Sequence, residues 1–95
     1  MHVITQSRIW EAKAKYPESA SALDGWYRLI KKNEFYSFSE LKKTFNSVDK
    51  VGNLFVFDIA GNRLRLMATI HFQRKKIYIR HILTHKEYDK NNWKR

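Results

Sequence analysis

Near residue 47 the chain changes its hydrophobic rhythm: before it, apolar residues recur at helical spacing, and after it they follow strand chemistry. Residues 1–4 are short, apolar and end in the β-branched pair Val3-Ile4, which predicts a strand laid against a sheet built elsewhere. From Thr5 onward Ile9, Trp10, Ala12, Ala14 and Tyr16 supply one broad apolar side of a helix capped by Thr5 or Ser7. Pro17 stops it, because proline disfavours the helical conformation of the residue before it. A second helix is expected over residues 18–32, with Ala22, Leu23, Trp26, Leu29 and Ile30 on one side and Ser21, Asp24, Arg28 and Lys31 on the other. Ser39 with Glu40, Leu41 and Phe45 reads as a capped short third helix carrying Lys42 and Lys43. Residues 46–52 read as a connection, and residues 53–59, 63–72 and 77–84 as three strands.

Gly61-Asn62 is a hairpin turn candidate, since glycine supplies positive φ at no steric cost. Closing there sets Phe57 opposite Leu66 and Phe55 opposite Ala68. Closing the second hairpin over residues 73–76 sets Phe72 opposite Ile77, Ile70 opposite Ile79, Ala68 opposite His81 and Leu66 opposite Leu83. One face of the meander then carries Phe55, Phe57, Leu64, Leu66, Ala68, Ile70, Phe72, Ile77, Ile79 and Leu83, which the helices must cover. The other carries Asp58, Arg63, Arg65, Met67, Thr69, His71, Tyr78, Arg80 and Ile82, with the tail from His85 folding over or beside it. The expected class is α+β, two N-terminal helices and a short third helix on one face of a small, mainly antiparallel sheet.

At 95 residues the chain predicts one small domain, 1–95, with little room for an internal cofactor cavity. Lysine and arginine total 19 against 9 acidic residues, a formal charge of +10 that points to a polyanionic partner. A hydrophobic content of 43% excludes a disordered basic tail. The absence of cysteine excludes disulfides, thiol catalysis and cysteine-ligated zinc, and suits a reducing cytoplasm. No apolar run is long enough to span a bilayer, and the opening residues lack the layout of a signal peptide.

Arginine offers a planar fork to phosphate and tyrosine a ring for base stacking, so the polar face is a candidate RNA platform. Metal-free RNA cleavage further needs a base for the ribose 2′-hydroxyl, an acid for the departing 5′-oxygen, and cations for the transition-state charge. His85, Lys86, Tyr88, Asp89 and Lys90 offer such groups just past the last strand, beside Arg65 and Arg80. Plainer readings exist for each feature. Arg63 and Arg65 can form a solvated strand face paired with Asp58, His81 can pack opposite Ala68, and His71 can be a surface neighbour of Tyr78. Trp10, Tyr16 and Trp26 can be helix packing, and Lys42 and Lys43 can simply be solvated. His81 and His85 are four apart, but a strand end intervenes, so no metal site is expected.

Three local strings resemble a known family: Met1-His2-Val3-Ile4-Thr5, Gly61-Asn62-Arg63-Leu64-Arg65-Leu66, and Tyr78-Ile79-Arg80-His81-Ile82-Leu83-Thr84-His85-Lys86-Glu87-Tyr88-Asp89-Lys90. Together they are similar to the HigB family of type II toxins within the RelE-like group of small ribonucleases. The resemblance covers nearly the whole chain and is most specific in the closing Thr-His-Lys-Glu-Tyr-Asp string. It implies a cytoplasmic mRNA interferase, acting without metal or other cofactor, commonly on the translating ribosome, and silenced by a HigA-type helix-turn-helix antitoxin. Carried over by residue, it places Asn62 and Arg65 in the hairpin, Arg80 on the last strand, and His85, Tyr88 and Asp89 in the tail. Arg65 and Arg80 are then expected at the scissile phosphate, His85 as general acid or base, and Tyr88 in base stacking or proton transfer. Asp89 is expected to orient His85 or Tyr88, and Lys42, Lys43, Arg63, Lys86 and Lys90 to support RNA binding. Two other readings compete: a non-catalytic RNA- or ribosome-binding module, and a basic face that serves an acidic protein partner.

Overall fold

A computed structural model describes residues 1–61, 63–90 and 93. Asn62, assigned above to the first hairpin, lies outside the described residues. The strands are β1 (His2–Ile4), β2 (Asp49–Val51), β3 (Leu54–Ile59), β4 (Leu64–His71) and β5 (Lys76–Thr84), joined in one sheet in the order β1-β5-β4-β3-β2. β1 runs parallel to β5, and the other pairings are antiparallel. Among the described residues four α-helices accompany them: α1 (Ser7–Lys15), α2 (Ala20–Lys32), α3 (Phe38–Thr44) and α4 (His85–Asp89), with a short 3₁₀ turn at Pro17–Ser19. This is the α+β class expected from the sequence, with the N-terminal helices packed on one sheet face.

The core forms between those helices and the sheet. Ile9, Leu23, Trp26, Ile30 and Leu41 meet Phe57, Leu66, Ala68, Ile77 and Ile79, all of them buried. Phe57 is the hub, with Trp26 and Phe45 meeting it edge-on at centroid distances of 5.3 and 5.2 Å. Complete burial of such side chains contributes about 1.5–3 kcal/mol each, which anchors α2 to the middle of the sheet.

The first hairpin has the expected register, Phe57 opposite Leu66 and Phe55 opposite Ala68. The second does not. Its turn lies one residue earlier, so His71 pairs with Lys76, and Lys75 takes the left-handed conformation (φ 56°) that closes the loop. Ile70 therefore faces Ile77 and Ala68 faces Ile79. A bulge follows: Met67 pairs with His81, leaving Arg80 as an extra residue on β5. Beyond it every side chain on β5 changes face. Ile82, expected on the polar face, packs against the core, while His81 and Leu83 join Met67 and Arg65 on the opposite side. His81 is thus not packed opposite Ala68.

Other expectations shift for local reasons. Thr5 does not cap α1; it sits at φ 63° and its hydroxyl accepts the Ile79 N–H at 3.0 Å, extending the β1–β5 pairing by a side chain. Ser7 is the first residue of α1 and Gln6 precedes it without a side-chain capping bond. Trp10 and Ala14 face solvent, Trp10 at 61% exposure, because Ile9 and Ala12 alone turn inward. Leu29 is likewise 42% exposed. Helix α3 is capped by Ser37, whose hydroxyl accepts the Glu40 N–H, and not by Ser39. The stretch read as a connection holds β2, an edge strand with little burial and hence little hydrophobic signal. Among the described residues no helix is long and apolar enough to cross a membrane.

Candidate active site

The face away from the helices is open only in part. Val56 and Met67 form a cross-strand pair on it and are buried, although they stand outside the core cluster. Helix α4 turns back across β4 and β5 directly after the last strand. A helix of this length is not stable by propensity, and α4 buries none of its own residues, so specific polar contacts must hold it. The sequence supplies a capping box. Thr84 Oγ1 accepts the Glu87 N–H at 3.1 Å, and Glu87 Oε1 accepts the Thr84 N–H at 3.0 Å. The His85 N–H donates to the Arg63 carbonyl at 3.2 Å, tying α4 to the first hairpin. Tyr16, at the end of α1, donates its hydroxyl to Glu87 Oε1 at 3.4 Å.

So anchored, α4 brings His85, Tyr88 and Asp89 to Arg65. Arg65 is only 9% exposed, and all three of its guanidinium nitrogens have partners. Nε lies 3.1 Å from Asp58 Oδ1 across the β3–β4 pair, Nη1 donates to the Leu64 carbonyl at 3.4 Å, and Nη2 meets His85 Nδ1 at 3.2 Å. The sequence reading of a solvated Arg65 paired with Asp58 is therefore half right: the ion pair exists, but the arginine is buried. Ion pairing and hydrogen bonding offset the desolvation of that charge. His85 Nε2 lies 3.3 Å from Asp89 Oδ2. The imidazole tautomer that satisfies both neighbours carries its proton on Nε2, donating to Asp89 while Nδ1 accepts from Arg65. Tyr88 is sandwiched: the Arg65 guanidinium lies 5.7 Å from its ring centroid, and Trp93 stacks on it at 4.9 Å with planes 15° apart.

The remaining expected site residues divide. Lys86, Asp89 and Lys90 belong to α4 and its C-terminal cap, and all are exposed. Arg63 is exposed in the hairpin that receives the His85 N–H. Arg80 is on the same face but apart. Its Nε donates to Thr69 Oγ1 at 3.1 Å and its guanidinium lies 5.3 Å from the Tyr78 ring centroid. Thr69 is four residues beyond Arg65 on β4, about 13 Å along the strand. His71 meets Tyr78 edge-on at 5.5 Å, as its surface reading predicted. Lys42 and Lys43 are on α3, in the layer against the core face, and Lys42 donates to the Val48 carbonyl at 3.3 Å. The structure does not bring them to His85.

Two residues given no role from sequence belong to this region. Glu87 is the strut of α4, and the Thr-x-x-Glu spacing was the signal for it. Hydrogen bonding from the Thr84 N–H, above all, holds its carboxyl below the ordinary value of 4.5, and the Thr84 hydroxyl, Lys15 and Tyr16 add to the shift. His81 is turned to this side by the bulge. Partial burial, then the charges of Arg8 and Arg80, hold its imidazole below the ordinary 6.5 and keep it neutral at physiological pH. Among the described residues no cluster of histidine and acidic side chains could hold a metal ion.

Comparison with known proteins defines the class. A family model described as HigB_toxin, the RelE-like toxic component of a toxin-antitoxin system, matches residues 19–91. The chain is 38% identical over 93 residues to the mRNA interferase HigB of Escherichia coli O6:H1, spanning 95% of this chain and 90% of that protein. It is 40% identical over 92 residues to the mRNA interferase toxin HigB of Escherichia coli K12, spanning 94% and 88% respectively. A Shigella flexneri mRNA interferase HigB matches equally well. The chain belongs to the HigB family of RelE-like toxins.

Proposed function

We propose that this protein is an mRNA interferase, the toxin of a toxin-antitoxin pair, cleaving RNA by attack of a ribose 2′-hydroxyl on the adjacent phosphodiester. The observation that carries the reading is the line Asp58, Arg65, His85, Asp89, assembled on a basic face and capped by Tyr88. Asp89 orients the imidazole. Arg65 Nη2, which here meets His85 Nδ1, turns to a non-bridging phosphate oxygen when RNA enters, which frees Nδ1 to exchange a proton with the substrate. The 2′-oxygen bonds to phosphorus as its proton leaves, the bond to the 5′-oxygen breaks, and that oxygen takes up a proton. The products are a 2′,3′-cyclic phosphate and a 5′-hydroxyl. Tyr88, with Arg65 and Trp93 against its ring, fits a role in holding the site or transferring a proton better than stacking on a base.

Arg80, beside Tyr78 and His71, is suited to the RNA flanking the cut. The positive face also suits the ribosome and an antitoxin of the HigA type as partners. Lys42 and Lys43 are available on α3 for the same polyanion, outside the cleavage site. The test is induced expression with His85→Ala and Arg65→Ala alongside. Growth arrest with loss of full-length transcripts, abolished by both variants, is expected. Arrest that survives both substitutions with transcripts intact would instead indicate a non-catalytic block of translation.

A further inference from the structure

A second feature of the same face has no part in the chemistry above. Between β5 and α4, a cleft of about 300 Å³ is lined by His81, Leu83, Glu87, Lys90 and Trp93. This volume is at the small end of the range for ligand sites and accommodates one flat heterocycle. Its polarity suits such a ligand: Leu83 offers an apolar surface, and Trp93 an aromatic one. His81 presents a ring donor and acceptor, Lys90 donates at the rim, and Glu87 accepts. Glu87 Oε1 already accepts from Thr84 and Tyr16, so Oε2 is the oxygen left for a ligand donor.

The bulge on β5 is the independent observation. Were Arg80 paired in an unbroken ladder, alternation from Ile79 would point His81 and Leu83 into the helix-covered core. Bulges near functional sites re-aim side chains in this way, and here the same irregularity delivers both strand residues of the cleft, His81 and Leu83. The cleft adjoins the cleavage cluster, since Leu83 pairs across the sheet with Arg65 and Trp93 stacks on Tyr88.

Resting on the RNA-cleaving reading, we infer that this cleft receives one nucleobase next to the scissile phosphate and favours a base with an exocyclic amino group. An amino group can donate to the Glu87 carboxylate. In the orientation that points the cytosine amino group at the carboxylate, uracil places its O4 carbonyl there, acceptor against acceptor, and must turn its N3–H toward Glu87 to find a donor, a mismatch that polar sites penalise. Glu87 is therefore a specificity-determining residue, separate from the proton-transferring His85, and His81 lines the cleft beside it.

The test has two arms. In the first, His85→Ala protein is titrated with AMP, GMP, CMP, UMP and inorganic phosphate, while the ring protons of His81 and the indole N–H of Trp93 are followed by NMR. Saturable shifts with the three amino-bearing nucleotides, and binding of UMP weaker by roughly two- to tenfold, are expected. No shift with any nucleotide, an equal response to UMP, or the same response to phosphate alone overturns the inference. In the second arm, cut sites are mapped for the protein with His85 intact and for its Glu87→Gln variant, which can turn an amide donor toward the base in place of a carboxylate oxygen. The measured quantity is the ratio of cuts beside amino-bearing bases to cuts beside uracil. Being internal to each sample, that ratio does not move if the substitution merely lowers activity or folding. It should fall by roughly two- to tenfold, and an unchanged ratio would reject the assignment. If the unaltered protein makes no cuts, the cleavage reading fails and the titration alone decides the cleft.

Discussion

Replacing Thr84 by alanine should loosen α4 without loosening the sheet. The substitution removes the oxygen that accepts the Glu87 N–H at 3.1 Å and that donates to Glu87 Oε1 at the same distance. The Thr84 backbone bond to Glu87 survives, so one half of the capping box is lost. Loss of a capping side chain costs about 1 kcal/mol, and the freed N–H can turn to water, which keeps the cost from rising further. With no buried residue of its own, α4 has little apolar packing to offset this. About 1 kcal/mol corresponds to roughly a fivefold rise in the opening equilibrium of the helix. Amide hydrogen exchange reads it directly. The His85 amide, bonded to the Arg63 carbonyl, and the Lys90 amide, bonded to the Glu87 carbonyl, should exchange roughly five times faster, while those of Leu66 and Ile79 stay unchanged. Equal acceleration of Leu66 and Ile79 would show that α4 does not open separately. No acceleration at His85 and Lys90 would show that the capping box does not hold it.

Other consequences can be measured on the same protein. Because the Glu87 carboxyl is held below 4.5 in the folded state, its contribution is complete above that pH and is lost as pH falls through the depressed folded value. Exchange at His85 and Lys90 should therefore show no added opening above pH 4.5 and growing opening below it; opening that begins near neutrality would contradict this. Arg65→Lys keeps the charge but cannot meet Asp58, the Leu64 carbonyl and His85 together, so urea unfolding should report a loss of about 1–3 kcal/mol. Phe57→Ala should cost about 3–5 kcal/mol, whereas Trp10→Ser, on a solvent-facing position, should change stability by less than about 0.5 kcal/mol.

The layout was legible where one physical signal dominated. Apolar periodicity located α2 and the three long strands, and the first hairpin register followed from Gly61 and the alternation of Phe55, Phe57, Leu64 and Leu66. The second hairpin misled because its turn ends at Lys75, a residue with no intrinsic preference for the left-handed conformation it adopts. The bulge did leave a trace: core-facing isoleucines run Ile77, Ile79 and then Ile82, a break in period two, but Leu83 next door hid it. Trp10 illustrates a different limit, since an aromatic residue at helical spacing can still face water when smaller neighbours fill the interface. Of the site, His85, Tyr88, Asp89 and Arg65 converge, while Arg80 stays with Thr69 and Tyr78. Strand order and face put Arg80 near the site, but the separation along the strand could not be judged without the bulge.

The chemistry of the RNA ends tests the account most directly. After induced expression, transcripts should acquire 5′-hydroxyl ends matched by upstream 2′,3′-cyclic phosphates, and His85→Ala should abolish both. New ends bearing 5′-phosphates, or 5′-hydroxyl ends equally abundant in the His85→Ala variant, would contradict cleavage by the Arg65–His85 site.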